Sequence, residues 1–513
     1  MLREILRQEI EKAVLKLFDK KAVFNVSWDG KFSDYSSNAG LFLGGKDEAE
    51  KLKDELAKSK EIEELFSEIK VAGNGFINFR LSEKGIEDGL KFALKEKFDF
   101  LKSEKIQVEF ISANPTGPLT LGNGRGGVFG DVLGNVFKKA GAEVVKEYYI
   151  NNAGNQIEIL GHSVLKDDKA EYKGEYIDEL GKKLGGEEPL EVGKKAADII
   201  LESIKKTVSE MGIDFDVWFS ESKELRETGK VEEIMRWLKE KDLAYEKDDA
   251  LWFRATKFGD SEDRVLIKTG GEPTYFGVDC AYHKNKFEER KFDRVINIWG
   301  ADHHGDVKRV KGFIDALGHK DKFEIILMQF VRLFQNGAAA RMSKREGVYV
   351  LVDDVLKEIG KDAFRYFMLT RSPDTHMDFD LELAKEQSKK NPVYYIQYAG
   401  ARMSNILKKS EAGLKNEKIE IQNLTEPQER RLLLKLIQFP EMIESVSRDY
   451  QVHRLTTYIY ELAAAFTDFY ENVRVLEAEG DELKNSRLLL VSVSRRLLEQ
   501  VLGLLGISAP EKM

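Results

Sequence analysis

The chain has 513 residues, of which 42% are hydrophobic and 33% charged, so it is too long for one compact core and predicts about three domains. No apolar run approaches the roughly 20 residues of a membrane-spanning helix, and a single cysteine, Cys280, excludes an intramolecular disulfide framework. The net charge of −9 does not indicate a generally basic nucleic-acid-binding protein, and the charged, amphipathic N-terminus is unlike a secretory signal, so we predict a cytoplasmic protein without membrane association.

Residues 1–85 predict a small α+β domain. Apolar residues at helical spacing indicate helices over residues 2–18 and 46–59. The run "GFINFRLS" alternates apolar and polar residues, which predicts a strand over 75–82, and a further helix follows over 83–95.

An α/β domain is predicted over residues 86–385. The strand candidate "IQVEFIS" is followed by the Gly/Pro-rich run "ANPTGPLTLGNGRGG", a helix over 127–140 and a second strand, "AEVVKEYYI". Strand, glycine-rich loop, helix and strand in this order are typical of a parallel sheet. Further strands are expected in "DRVINIWG" and "KFEIILMQFV", with a largely helical insertion over about 157–250 between the two halves.

Residues 386–513 predict an all-α bundle, because several long runs repeat apolar residues at a spacing of three to four. The segment "KKNPVYYIQYAGARMSNILKK" is basic and rich in tyrosine. It fits a surface that faces a phosphate backbone, and it equally fits a solvated helix with its tyrosines in the core.

The glycine-rich run predicts an anion site. Gly117, Gly122, Gly124, Gly126 and Gly127 allow the backbone to approach a ligand closely and to adopt positive φ. The helix after them presents unpaired N–H groups at the carboxyl edge of the sheet. The run has neither the G-x-G-x-x-G pattern nor a G-K-S/T sequence, and its glycines also fit a turn that packs a helix against a strand.

A second candidate element is "RMSKREG" at residues 341–347. Clustered cations between small residues suit a loop that closes on phosphates, with Lys344 as a point charge. Taken alone, the same cluster also fits a solvated surface.

Together these two elements resemble the HIGH and KMSKS signatures of class I aminoacyl-tRNA synthetases, and more specifically those of arginyl-tRNA synthetases. The runs "EFISANPTGPL", "EYYINNAGNQI", "FDVWFSES", "TYFGVDCAYHKNKF", "WGADHHGDV" and "GKDAFRYFML" resemble segments of that family in the expected order. The resemblance covers nearly the whole chain. It implies an N-terminal tRNA-contacting α+β domain, a Rossmann-type (HUP-like) catalytic domain with a parallel sheet, and a helical anticodon-binding domain.

The resemblance also implies an arginine site. A guanidinium is a planar, permanently charged fork, and a site for it needs carboxylates in a partly desolvated place. By resemblance, Glu109, Tyr275 and Asp279 hold the guanidinium, while Ser112 and Asn114 hold the α-amino and carboxylate end. Tyr275 and Asp279 are four residues apart, which is one turn if the segment is helical.

ATP-binding and catalytic residues follow from the same resemblance. The catalytic residues are expected to be Thr120, Asn123, Arg341, Ser343 and Lys344, and the ATP contacts Pro115, Gly117, Leu121, Gly122, Gly124, Asp302, His303, His304 and Met342. Mg²⁺ is expected to accompany ATP. No resident metal is expected, because no second His/Cys cluster stands beside the histidine pair of "WGADHHG".

The chain departs from the family at the first signature, where Thr120 and Asn123 stand in place of two histidines. Threonine and asparagine donate hydrogen bonds but carry no positive charge. Losing a charged or well-placed donor, such as one of the two histidines, typically costs about 2–4 kcal/mol of transition-state stabilisation. Met342, Ser343 and Lys344 of the second signature are retained, which argues against an inactive nucleotide site.

The predicted function is ATP-dependent ligation of L-arginine to tRNA(Arg) through an arginyl-adenylate, by a monomer. The tRNA contacts are expected at Tyr35, Asn38, Tyr395, Gln397, Tyr398 and Arg402. One alternative is a tRNA-binding protein of synthetase fold that no longer activates amino acids. Another is a synthetase for a different amino acid, such as cysteine, but the zinc site of the cysteinyl enzymes is hard to build from one cysteine.

Overall fold

The computed structural model describes residues 2–21, 23–30, 32–186, 188–335, 338–339, 350–410 and 419–513. The N-terminal α+β unit consists of α1 (Leu2–Phe18), β1 (Val26–Trp28), β2 (Tyr35–Ser37), α2 (Ala39–Leu43), α3 (Lys46–Leu56), α4 (Lys60–Leu65), β3 (Phe66–Ala72), β4 (Phe76–Leu81) and α5 (Glu83–Ala93). Its strands form one antiparallel sheet in the order β1-β2-β4-β3. Helix α1 buries Leu6, Ile10 and Val14, which recur every four residues on one face.

The central unit is an α/β domain. Its first part contains β5 (Lys105–Glu109), α6 (Leu121–Ala140), β6 (Glu143–Ile150), α7 (Asn155–Leu165), α8 (Glu175–Lys183), α9 (Pro189–Glu210), β7 (Val217–Ser220) and α10 (Lys230–Glu240). Its second part contains β8 (Ala244–Lys247), β9 (Ala250–Phe253), β10 (Arg264–Ile267), α11 (Tyr275–Lys284), β11 (Arg294–Gly300), α12 (Val307–Ala316), β12 (Phe323–Met328), β13 (Val331–Gln335), β14 (Ala338–Ala339), α13 (Val352–Met368), β15 (Met377–Asp380) and α14 (Leu381–Lys385).

A parallel five-stranded sheet forms the middle of this unit, in the order β12-β11-β5-β6-β7. The α/β prediction is therefore confirmed. The strand order reverses between β5 and β11, and ligands bind outside the carboxyl ends of the strands at such a switch point. The carboxyl ends of β5, β6, β7 and β11 consequently define where a site is expected.

The predicted insertion differs from the structure. Helices α7, α8, α9 and α10 are present, but within the predicted range β7 belongs to the parallel sheet, and β8 pairs with β9 in a separate antiparallel sheet that continues to β10 beyond the range. Strands of four residues, such as Val217–Ser220, are too short for a clear period-two pattern. Helix α6 also differs, since it begins at Leu121 and not at Gly127.

The C-terminal unit is a bundle of helices, as predicted, with α15 (Pro392–Lys409), α16 (Pro427–Ile437), α17 (Phe439–Asp449), α18 (His453–Asn472) and α19 (Asp481–Leu505). It packs against the N-terminal unit, where Asp34 forms an ion pair of 2.7 Å with Arg430. In the described ranges, none of the helices has the length and apolar composition needed to cross a lipid bilayer.

A buried charge cluster joins α6, β6, α13 and the end of α19. Asp131 of α6 accepts a hydrogen bond from Lys146 Nζ at 2.6 Å and another from the guanidinium of Arg365. Arg365 is fully buried, and its Nε donates to the carbonyl of Leu505 at 2.6 Å. The helix that begins at the site is thus fixed directly to the C-terminal bundle.

Candidate active site

A cleft of about 520 Å³ opens at the carboxyl edge of the parallel sheet, in front of the first turn of α6. Its walls come from α6, the end of β11 and the chain after β12, and include Thr120, Gly122, Asn123, Asp302, Phe330 and Arg332. The first turn of a helix has N–H groups without intrahelical partners and the positive end of the helix dipole. The cleft is therefore suited to an anionic ligand such as a nucleotide phosphate.

Thr120 and Asn123 cap the helix together. Asn123 Oδ1 accepts hydrogen bonds from the backbone N–H of Thr120 at 2.9 Å and from its hydroxyl at 2.8 Å. The hydroxyl of Thr120 is thus engaged, whereas the amide Nδ2 of Asn123 has no hydrogen-bond partner in the described part of the chain. Of the two side chains, Asn123 retains the free donors at the rim of the cleft.

The predicted glycines have a different role from the expected one. None of Gly117, Gly122, Gly124, Gly126 and Gly127 has positive φ, and all but Gly117 lie within α6. A Cβ on Gly124 would come within 2.7 Å of the Phe364 ring, so Gly124 allows α6 to pack against α13, and it does not line the cleft. The predicted contacts Pro115 and Gly117 also lie outside the lining of the cleft, whereas Leu121 and Gly122 belong to it.

The left-handed backbone occurs at Ile111 and Ser112, with φ of 65° and 40°. Such a conformation is strained for β-branched isoleucine and clusters at functional sites. Ser112 Oγ donates to Glu109 Oε1 and accepts from the backbone N–H of Tyr149, both at 3.1 Å. The turn therefore fixes Glu109 at the end of the central strand. Asn114 is exposed and donates to Gln156 Oε1 at 2.6 Å.

Three carboxylates lie beside this turn: Glu109 at the end of β5, Glu221 after β7 and Asp279 on α11. We call them the carboxylate cluster. Burial raises the pKa of Asp279 to about 8, and the nearby charges of Glu109 and Glu221 contribute to the shift. The segment from Tyr275 to Asp279 is helical, as predicted, and the Thr274 side chain caps it. The structure thus brings Glu109 and Asp279 together, with Tyr275 more than half exposed on the preceding turn.

Asp279 differs from the other members of the cluster in its pairing. Glu109 pairs with Lys286 at 2.6 Å. Glu221 accepts from Arg226 Nε at 2.7 Å and from the Tyr149 hydroxyl at 2.8 Å. The carboxylate of Asp279 has no hydrogen bond or ion pair within the ranges that the structure describes. A half-buried carboxylate without a partner is suited to a cationic ligand.

A buried polar network behind the cluster was not predicted. Lys286 Nζ also donates to Asn297 Oδ1 at 3.0 Å, and Asn297 contacts His283, whose Nδ1 lies 2.8 Å from the carbonyl of Asp279. Burial lowers the pKa of His283 well below its ordinary value, so its ring is neutral. The sequence gives little signal for this network, because His283 and Lys286 lie in the charged run "HKNKFEERKF", which fits a solvated surface, and Asn297 lies in an apolar strand.

The remaining predicted residues around the cleft are exposed. Asp302, His303 and His304 follow β11 in a 3₁₀ turn, and only Asp302 of these three lines the cleft. His303 Nδ1 lies 3.1 Å from Asp306 Oδ2. Within the described residues, no group of three or more His, Cys, Asp or Glu side chains could hold a metal ion.

The second signature, with Arg341, Met342, Ser343 and Lys344, lies outside the described residues. Arg125, a fully buried residue of α6, was not predicted. The guanidinium of Arg125 donates to the carbonyls of Gln329, Ser372 and Thr375 at 2.8 to 3.0 Å. These carbonyls precede the paired strands β13 and β15, so α6 is tied to the start of both strands.

The predicted tRNA contacts in the N-terminal unit need a correction. Tyr35 is completely buried, and its hydroxyl donates to Glu441 of α17 at 2.6 Å. It is therefore an interdomain core residue and cannot contact tRNA in this structure. Asn38 is half-buried, and its Oδ1 accepts from the backbone N–H of Asn25 at 2.7 Å. Phe76 of β4 has an exposed side chain, with 44% of its surface accessible.

The predicted contacts on α15 fall into two groups. The amide of Gln397 donates to Asp362 Oδ2 and to the carbonyl of Ser508, both at 2.9 Å, so Gln397 has a structural role. Tyr398 and Arg402 line a second cavity of about 450 Å³, in which the Arg402 guanidinium lies 4.4 Å from the centroid of the Tyr470 ring. Tyr395 packs against Tyr460 with ring centroids 5.2 Å apart. Partly exposed aromatic rings beside an arginine are typical of surfaces on which bases stack.

Three family models match three separate parts of the chain. They are the arginyl tRNA synthetase N terminal domain over residues 1–81, the catalytic domain of class I tRNA synthetases (R) over 166–374, and the DALR anticodon binding domain over 396–513. The three matches lie in the N-terminal, central and C-terminal units described above.

Relatives of known name match over most of the chain. The Arginine–tRNA ligase of Carboxydothermus hydrogenoformans is 44% identical over 88% of this chain and 87% of its own length. The Arginine–tRNA ligase of Thermotoga petrophila is 40% identical over the full length of both chains. Among solved structures, Thermus thermophilus arginyl-tRNA synthetase superposes over the whole of both chains with a TM-score of 0.81 at 24% identity, which shows the same fold. This chain belongs to the arginyl-tRNA synthetase family.

Proposed function

We propose that this chain ligates L-arginine to tRNA(Arg) with the use of ATP. The observation that carries the proposal is the unpaired, half-buried carboxylate of Asp279, which stands in a cluster of acidic side chains at the same sheet edge as the cleft in front of α6. The carboxylate provides a partner for a guanidinium, and the helix N-terminus provides a place for phosphates. The family to which the chain belongs supports this assignment.

In the proposed reaction, the carboxylate of arginine attacks the α-phosphate of ATP and displaces pyrophosphate. A terminal ribose hydroxyl of tRNA then takes the arginyl group from the adenylate, and AMP leaves. The chain contributes mainly orientation and charge stabilisation. The N–H groups of the first turn of α6 and the amide of Asn123 face the phosphates, while Asp279 fixes the substrate side chain. Lys344 is proposed to add positive charge at the pyrophosphate.

Mg²⁺ is expected to enter with ATP, held mainly by phosphate oxygens and water. The tRNA is proposed to contact the C-terminal bundle around Tyr398, Arg402 and Tyr470, and the matched anticodon-binding model supports that placement. The N-terminal surface around Phe76 is proposed as a second contact in place of Tyr35.

Aminoacylation of bulk tRNA with each of the twenty amino acids tests the proposal. We expect product with arginine only, because a neutral side chain would leave Asp279 unpaired. The alternative of a tRNA-binding protein without activation is not favoured, since close relatives are named ligases. Pyrophosphate exchange measured with tRNA present separates the two readings. Bound tRNA without exchange above background would contradict the proposal.

The double variant Thr120→His/Asn123→His is expected to raise kcat and to lower stability. Histidines at these positions can place positive charge near the phosphates, which is worth about 2–4 kcal/mol at most. The same change removes the hydrogen bonds between Thr120 and Asn123, so the free energy of unfolding should fall by about 1 kcal/mol. Pyrophosphate exchange and urea unfolding measure the two effects.

Thr120→Ser is the matched control, because serine keeps the hydroxyl that bonds to Asn123. It should leave both kcat and stability close to those of the unchanged chain. If the double histidine variant has an unchanged or lower kcat, the present Thr120–Asn123 pair already positions the phosphates well.

A further inference from the structure

Gln156, the second residue of α7, connects the site to the chain that follows β6. Only 7% of its surface is accessible. Its Nε2 donates to the backbone carbonyl of Asn151 at 2.9 Å and lies 3.4 Å from that of Ala153. Its Oε1 accepts a hydrogen bond from Asn114 Nδ2 at 2.6 Å. Both ends of this buried amide are therefore engaged.

The two backbone carbonyls fix the direction in which the Gln156 amide points. A carbonyl oxygen only accepts hydrogen bonds, so the Nε2 end must face Asn151 and Ala153. Oε1 consequently faces Asn114, which must turn its Nδ2 toward Gln156. The reversed amide of Asn114 would bring two oxygens to about 2.6 Å with no hydrogen between them. The orientation of the exposed Asn114 amide is thus set by the backbone behind it.

The chain on either side of Asn114 is held as well. The hydroxyl of Tyr148 donates to the carbonyl of Ala113 at 2.7 Å, and that of Tyr176 donates to the carbonyl of Thr116 at 3.0 Å. Asn114 itself is exposed, and its Oδ1 accepts no hydrogen bond from any residue in the described ranges. It is therefore a fixed acceptor that faces solvent.

Asn114 lies on the segment that joins the two parts of the proposed substrate site. Residues 110–120 run from Glu109 of the carboxylate cluster to Thr120 before the first turn of α6. In the proposed reaction, Asp279 binds the guanidinium of arginine, and the carboxylate of arginine meets a phosphate in the cleft. The α-ammonium is attached next to that carboxylate, so in this arrangement it lies over the segment. An ammonium only donates hydrogen bonds, and a fixed amide oxygen suits it.

We propose that Gln156 is a positioning residue, which turns Asn114 so that its Oδ1 accepts a hydrogen bond from the α-ammonium of arginine. This inference rests on the proposed function, and it gives Gln156 a part in recognising the substrate as an α-amino acid. The reversed amide would present N–H groups to the ammonium, and donors that face each other repel. The buried glutamine excludes that orientation before the substrate arrives.

The competing interpretation is that Gln156 only fixes the chain after β6 to the start of α7. Gln156→Met separates the two, because methionine keeps an unbranched side chain of similar length and has no amide. The two carbonyls that Gln156 contacts belong to partly exposed residues, so water can replace the lost donor. The amide of Asn114 then rotates freely and must be ordered again when the ligand binds.

The test measures, by calorimetry on the full-length chain, the binding of arginine and of an analogue that lacks only the α-amino group. We expect the unchanged chain to bind the analogue at least about 100-fold more weakly than arginine. Gln156→Met should weaken arginine binding about tenfold and that of the analogue by less than about twofold. An equal loss for both ligands would overturn the proposal, because a purely structural role acts on both.

Tyr148→Phe is the matched control. It removes the hydrogen bond to the carbonyl of Ala113 and keeps the aromatic ring, so it loosens the same segment without changing the amide of Gln156. We expect this variant to weaken arginine and the analogue by the same factor. A selective loss for arginine would also overturn the proposal, because loosening alone would then produce it.

Asn114→Asp tests the orientation at an exposed residue and decides the question even if Gln156→Met does not fold. The fixed Oε1 of Gln156 cannot donate, so it repels the new carboxylate. We therefore expect about tenfold weaker arginine binding, although the variant adds a negative charge beside the α-ammonium. Tighter binding would overturn the proposal, because Gln156 would then have turned its Nε2 toward the carboxylate.

Aminoacylation of tRNA by the unchanged chain distinguishes this inference from the proposed function. Transfer of arginine together with equal binding of arginine and the analogue would refute the role of Gln156 and leave the proposed function intact. A chain that neither binds nor transfers arginine would refute both.

Discussion

We expect Asp279→Asn to raise the KM for arginine by roughly 100- to 1000-fold with little change in the KM for ATP. The substitution keeps the shape of the side chain and removes the one uncompensated charge in the described part of the carboxylate cluster. Truncating one partner of a desolvated charge pair costs about 2–5 kcal/mol, and each 1.4 kcal/mol is about tenfold in affinity. Steady-state aminoacylation at varied arginine and varied ATP measures both constants.

The pH dependence of the same reaction provides a second measurement. Burial raises the pKa of Asp279 to about 8, so below pH 8 most molecules must lose a proton before the guanidinium can pair with the carboxylate. The KM for arginine should therefore fall about tenfold per pH unit between pH 6 and 8 and level off above. In Asp279→Asn this slope should disappear. An unchanged slope in the variant would assign the ionisation to another group.

Glu262→Gln is a suitable control for the Asp279 variant. Glu262 is an exposed carboxylate of the same domain that pairs with Arg264 on the surface at 2.7 Å. Surface pairs contribute little, so neither KM should change by more than about twofold. Equal effects of Asp279→Asn on arginine and on ATP would contradict the assigned role.

The sequence predicts the architecture because its main elements have clear periodicities. Helix α1 occupies the predicted residues, and the βαβ unit around β5 and β6 is where the alternation of apolar residues and glycines indicates it. The predicted start of α6 was wrong because a run containing Gly122, Gly124, Gly126 and Gly127 is typical of a loop. Those glycines are helical, and at Gly124 and Gly127 a Cβ would come within 3 Å of Phe364 and Ile111.

The site is only partly predictable, since charge pairing across the fold leaves no mark in the sequence. Glu109 and Asp279 are far apart in the chain, and the resemblance alone indicated that they share a site. Lys286 lies in the charged run "HKNKFEERKF", which reads as a solvated surface although Lys286 is completely buried. The prediction that Tyr35 contacts tRNA was wrong for a related reason. The helix that covers Tyr35 begins some 400 residues later, at Phe439.

The second large effect is expected from Asp131→Asn, which should lower the free energy of unfolding by about 3–5 kcal/mol. Asp131 is the shared anion of two buried cations, Lys146 and Arg365. Asparagine keeps the size of the side chain but leaves both cations without a counter-charge. Breaking a buried ion pair in this way is strongly destabilising because the remaining charge stays desolvated. Urea unfolding followed by tryptophan fluorescence measures the change.

The location of Asp131 extends this effect beyond stability. Arg365 also binds the carbonyl of Leu505 at the end of α19, and Asn135 of α6 donates to the carbonyl of Leu504 at 3.0 Å. Releasing Arg365 should therefore loosen the C-terminal bundle from α6, the helix whose first turn faces the cleft. We therefore expect Asp131→Asn to raise the KM for tRNA more than the KM for arginine. Asp354→Asn, at an exposed residue on α13, is the control and should change stability by less than about 0.5 kcal/mol. A loss below about 1 kcal/mol in Asp131→Asn would mean that its two cations find other partners.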